Sequence, residues 1–120
     1  MSGHRALSDN YLGDTTVEDP GAGGTIQVHR SPAVVDIVTA DAEARTLADP
    51  LAAGVFLVLT LKTDGGDCTV TASTGINQAG NTVCVFADAG DILALVSVPD
   101  PSSSGDFVWR VIENDGGSLS

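Results

Sequence analysis

The side chains of this 120-residue chain that could do chemistry are few and widely spaced. Its imidazoles are His4 and His29, and its thiols are Cys68 and Cys84. Pairing either thiol with His29 would be the starting point for a thiolate nucleophile. Both cysteines, however, alternate with apolar neighbours inside strand-like runs, and no G-x-S-x-G surrounds any serine. The sixteen acids offer more. Asp64, Asp67, Asp88 and Asp91 all fall in turns that could gather at one end of a β domain, where oxygen-rich loops can hold Ca²⁺. Neither TDGGD nor ADAGD has the ligand spacing of a calcium loop, and no Cys/His spacing suits zinc. The GAGG at 21–24 precedes a strand instead of opening a helix, so it is not a phosphate loop. Paired carboxylates for glycoside cleavage would need aromatic sugar platforms, and Trp109 is the lone tryptophan. The residues therefore predict no catalytic centre, no metal site and no cofactor.

The elements that must position these groups are short strands. VFLVLTLK (Val55–Lys62), DCTVTAS (Asp67–Ser73), TVCVFA (Thr82–Ala87), ILALVSV (Ile92–Val98) and FVWRVIE (Phe107–Glu113) are rich in Val, Ile and Thr, and turn residues interrupt them. TIQVHR alternates Ile26 and Val28 against Gln27 and His29, AVVDIV follows Pro32, and Ala44–Leu47 reads as a further strand between loops. Leu51–Gly54 is a turn, and PDPSSSGD (Pro99–Asp106) is an exposed loop. Both VFLVLTLK and ILALVSV are apolar on both faces, which suits strands covered on two sides or lying against a neighbouring subunit. In DGG and AGD the glycines supply positive φ, and Asp88–Asp91 is short enough for a tight hairpin. The predicted fold is all-β: an antiparallel sandwich, jelly-roll-like, or a partly closed barrel, with about eight short strands. Residues 1–24 form an extended polar arm, 25–115 the β domain and 116–120 a flexible tail. If the second and third firm strands form a hairpin with Cys68 opposite Cys84, a disulfide is conceivable but poorly shaped, and two buried thiols are expected.

Composition bounds the partners. Sixteen acids against five bases give a formal charge of −11, which repels nucleic acid and anionic membrane surfaces and suits a basic protein surface. Hydrophobic residues make up 42% of the chain, yet the aromatic ones are only Tyr11, Phe56, Phe86, Phe107 and Trp109, so the core must be aliphatic. One small aliphatic core leaves a thin margin over chain entropy, and association with further copies would widen it. No apolar leader opens the chain, and no apolar stretch is long enough to span a bilayer, so cytoplasmic synthesis is expected. In the arm, Tyr11, Leu12 and Val17 are anchors for a partner surface. Trp109 is read as inward-facing or edge-packed, with a binding surface shared with Phe107 and Arg110 as the alternative.

Four stretches carry a resemblance: TADAEARTLADPLAAG, LTLKTDGGDCTVTA, INQAGNTVCVFADAGD and FVWRVIENDGG. Together, over roughly Val34–Gly117, they resemble small structural proteins of tailed phages, and specifically capsid decoration or cement proteins. The resemblance implies a non-enzymatic β module on the outer surface of the phage head, made in the host cytoplasm. It implies self-association, commonly as a homotrimer, and the major capsid protein as partner, with the arm lying across neighbouring capsid subunits. Tail, fibre and surface-recognition modules that bind carbohydrate or a host receptor share the same general pattern and form the alternative. No single motif in it is a site, so Tyr11, Leu12, Val17, Phe107 and Trp109 remain the expected partner contacts.

Overall fold

The computed structural model describes residues 16–120. Among them are ten strands and no helix: β1 (Thr16–Val17), β2 (Thr25–Ile26), β3 (Ala33–Val38), β4 (Glu43–Leu47), β5 (Phe56–Thr63), β6 (Cys68–Ala72), β7 (Val83–Phe86), β8 (Ile92–Pro99), β9 (Phe107–Asp115) and β10 (Ser118–Leu119). They form two five-stranded sheets, ordered β1-β3-β5-β8-β9 and β10-β7-β6-β4-β2, neither closed into a barrel. We call these the first and second sheet. All-β architecture follows the period-2 burial written into the chain: β3 and β8 alternate buried and half-buried residues along most of their length. Inward side chains of both sheets, including Val35, Leu57, Leu59 and Leu95 from the first and Ile26, Leu47, Val70 and Phe86 from the second, share one core. The arrangement is sandwich-like, and aliphatic residues dominate its interior as the composition requires.

Strand direction is where the structure departs from the expected antiparallel sheet. β1, β3 and β5 run parallel in the first sheet, and β2, β4 and β6 run parallel in the second. The chain coils, laying one strand in each sheet per circuit. Only after β6 does it turn back, through the β6–β7 and β8–β9 hairpins, so that β5–β8, β8–β9, β6–β7 and β7–β10 are antiparallel. Alternation records which face of a strand is buried and says nothing about direction, because a half-buried parallel strand carries the same pattern. The same cause explains Asp88–Asp91. That turn is no hairpin: β7 and β8 lie in different sheets, and the turn carries the chain across between them.

This wiring stacks five sheet-to-sheet corners in a row at one end of the molecule: residues 18–24, 39–42, 64–67, 87–91 and 116–117. Corners bond through backbone to the strands of the neighbouring circuit. The Gly23 amide donates to the Ala44 carbonyl at 2.8 Å, and the Gly90 amide donates to that of Leu61 at 2.8 Å. Thr39 is buried and clasps two corners together: its hydroxyl donates to the Gly66 carbonyl at 2.7 Å and accepts from the Gly65 amide at 3.0 Å. Gly65 and Gly66 are glycines for closeness and not for positive φ, because a Cβ on either would run into the backbone of Thr39–Ala42. Gly90, at φ 94°, is the position in these two turns that needs left-handed backbone.

The terminal segments are more integrated than the sequence suggested. Within the segment read as an arm, Thr16–Val17 pairs with β3, and Gly23 and Gly24 bond to β4. Within the segment read as a flexible tail, Ser118–Leu119 pairs with β7, and the Ser120 amide donates to the Val83 carbonyl at 2.9 Å. Residues that look polar and loop-like in isolation are recruited because the sheet edges offer unpaired backbone groups.

Candidate protein-docking surface

The five expected contact residues do not converge. Tyr11 and Leu12 lie outside the described residues. Val17 is half-buried in β1 and packs against the core, while Phe107 and Trp109 begin β9, the opposite edge strand of the same sheet. Trp109 is 2% exposed and its indole N–H donates to the Ala48 carbonyl at 2.9 Å, so both its ring face and its polar tip are taken up inside the protein. Phe107 is half-buried on the wall of a cleft of 370 Å³ with Asp49, Pro50, Leu51, Asp100 and Asp106. All three of the cleft's carboxylates have local tasks: Asp49 accepts from the Ser73 hydroxyl, Asp106 from the Ser103 hydroxyl, and Asp100 from the Ser102 amide and hydroxyl, in that order of strength holding its carboxyl below the usual range.

The acidic turns do share one end, as their positions in the stacked corners show. Glu18, Asp41, Asp64, Asp67 and Asp88 are exposed there. Asp91 instead turns inward, 8% exposed, and its Oδ2 accepts from the Ala87 and Asp88 amides, both at 3.0 Å. Among the described residues no three His, Cys, Asp or Glu side chains are grouped to hold a metal ion.

One charged cluster that sequence reasoning passed over is internal. Arg45 sits at an inward position of β4, and its side chain is 0% exposed. Its Nε donates to Asp19 Oδ1 at 2.8 Å, Nη2 to Asp19 Oδ2 at 3.2 Å and to the Val38 carbonyl at 3.1 Å, and Nη1 to Glu43 Oε1 at 3.0 Å. This bidentate pair ties the first corner to β3 and β4. Burial would raise the Asp19 carboxyl, but hydrogen bonds from Arg45 and from the Val38 and Gly21 amides outweigh it and hold it below its ordinary value. Glu43 is lowered by the Ala40 amide and then by Arg45. The signal was present in the sequence as an arginine at an inward parity of EARTL, a position that demands a partner.

Cys68 and Cys84 are both free and buried. The hairpin register places Cys68 opposite Phe86 and Val70 opposite Cys84, so the thiols are offset along the strands and not opposed. Burial raises both, Cys84 to about 11, which keeps them as unreactive thiols.

What remains is the outer face of the first sheet. Pairing sets Val34 beside Val58 and Val58 beside Ala94, and sets Phe56 beside Val96, with Thr60 and Val98 completing the field. Four of the exposed large apolar side chains, Val38, Phe56 (53% exposed), Ile92 and Ile112, stand on this sheet. Charges are confined to its margin, at Asp36, Lys62, Arg110 and Glu113. The second sheet differs: its outward rows run Thr25–Thr46–Thr71–Val83 and Ala44–Thr69–Val85, with threonines at four of the seven positions and valines only on β7. The two-sided apolar runs of β5 and β8 were the sequence signal for this face, whose β9 margin at Val108, 3% exposed, is covered by the 73–82 and 99–106 loops.

Compared with protein-family models, curated proteins and solved structures, the chain matches none.

Proposed function

We propose that this chain is a non-enzymatic virion structural protein that binds the outer surface of an assembled phage capsid as a cement or decoration protein, bridging major capsid protein subunits. The observation that carries this reading is the rigid acidic end. Five exposed carboxylates are displayed on corners stacked at one end, two of which Thr39 clasps together, with no lysine or arginine among the corner residues. A preordered acidic surface meets a basic lattice without losing much loop entropy, and its field steers the encounter. Repeated contacts between associated copies and a repeating shell multiply weak affinities, and binding only the assembled state stabilises that state by mass action. The jelly-roll-like character expected from the sequence is confined to the layering of the two sheets, since half of the wiring is parallel. Self-association, as a homotrimer by resemblance, belongs to the same proposal, as does a place on the virion surface. The surface-recognition alternative would use Trp109 as a sugar platform, and its burial weighs against that.

Co-sedimentation with assembled capsid shells of the phage that encodes the chain tests the reading. Saturable binding at low salt is expected, weakening as ionic strength rises through physiological values, together with a higher melting temperature for the decorated shell. Absence of binding at micromolar concentration in low salt would remove the proposal.

A further inference from the structure

We propose that the outer face of the first sheet is the surface through which the chain binds a second copy of itself, which assigns the self-association in the proposed function to named residues. Three observations carry it. First, the central outward positions of β5 and β8, Phe56, Val58, Thr60, Ala94, Val96 and Val98, bear no charge in a chain whose formal charge is −11. Copies so strongly charged repel one another across most of their surfaces, and this face brings no carboxylate to the centre of a contact. Second, a basic partner of the kind attracted by the acidic corners would find no counter-charge at the centre of this face, where only Asp36 and Glu113 flank it, so the two surfaces are suited to different occupants. Third, the face is flat, strand-built and hydrogen-bonded on both sides of β5 and β8, so little order has to be gained on docking.

Size sets the strength. Four to five strands by six residues cover on the order of 400 Å², against about 800 Å² per partner in a standard stable interface. The association is therefore reversible and concentration-dependent in free solution, and becomes persistent only where many copies are held close together.

Sedimentation velocity of the full chain, without capsid shells, from micromolar to millimolar concentration tests this. The wild-type chain is expected to move from monomer to a multiple of the monomer mass. Phe56→Lys and Val96→Lys, which place charge side by side in the centre, should weaken association by at least about tenfold, a loss of 1.4 kcal/mol. Thr60→Lys, at a half-buried polar position of the same face, gives a variant with little risk to the core, and Trp109 fluorescence reports that each variant is folded. A wild-type chain that stays monomeric throughout overturns the inference, as does an oligomer indifferent to all three substitutions. A monomer that still binds shells would leave the capsid reading standing, and an oligomer that ignores shells would leave only this inference.

Discussion

Arg45 shows how a single side chain can tie the beginning of the described fold to its middle. A guanidinium with no exposed side-chain surface is tolerable only with its donors occupied, and Asp19 supplies the bidentate half. Asp19→Asn should cost about 2 kcal/mol at neutral pH, measured by urea denaturation. The pH dependence follows from the lowered Asp19 carboxyl. A group whose folded pKa is depressed contributes stability that is complete above its unfolded value, near 4, and is lost as pH falls through the folded value. The gap between wild type and Asp19→Asn should thus be full at pH 7 and close progressively below pH 4. A gap that stays constant down to pH 2 would show that the carboxylate charge is not what matters. The thiols make a second residue-scale case. With both buried and raised, Cys68 and Cys84 should react with a thiol reagent at pH 8 roughly 100-fold more slowly in the native chain than in denaturant, where both should titrate.

At the scale of elements, the corners matter more than the strands they join. Alternating Val, Leu and Ile would pair in several registers, and the stacked corners select one. Gly65→Ala would drive a Cβ into the Thr39 carbonyl and the Ala40 backbone, atoms that cannot move without displacing the neighbouring corner. A loss of about 3 kcal/mol is expected. Gly90→Ala meets no atom and loses only the ease of a left-handed φ, so about 1 kcal/mol is expected. Thr39→Val keeps the shape and removes the clasp, leaving the Gly65 amide without its acceptor, for about 1–2 kcal/mol. Urea midpoints should fall most for Gly65→Ala, less for Thr39→Val and least for Gly90→Ala. Sheet edges are managed locally as well: β1 is two residues long, and the Val111 amide on the edge of β9 donates to the Ile76 carbonyl at 2.8 Å, so the 73–82 loop covers that edge.

For the molecule as a whole, one core joins the two sheets, and its parallel strands can pair only after the chain has travelled a full circuit. No strand pair of the coiled half is stable by itself, so unfolding should be a single transition. Far-ultraviolet circular dichroism reports the sheets, and Trp109, buried between Ala48 and the core, reports the interior. The two should melt at the same temperature, with blue-shifted tryptophan emission until the transition. A tryptophan signal lost well before the β signal would mean that the β9 edge opens independently. The same global view separates the surfaces. Charge collects at the corner end, threonines with Val83 and Val85 line the outside of the second sheet, and larger apolar groups line the outside of the first, so three surfaces differ in chemistry.

Sequence alone determined where the longer strands lie, though not β1 and β10 at the two ends. AVVDIV became β3 residue for residue, and the five firmest strands shifted by no more than two residues at either end. It also marked β5 and β8 as apolar on both faces, and grouped the acidic turns. These are local properties, set by side-chain period and turn chemistry. Tertiary structure decided the rest: that half of the strand pairings are parallel, that Asp88–Asp91 crosses between sheets, that Cys68 and Cys84 miss each other and that Arg45 finds Asp19. Each of these depends on which distant segment lies alongside. A period of two carries the burial of a strand but not the identity or direction of its neighbour, and long-range pairing alone supplies those.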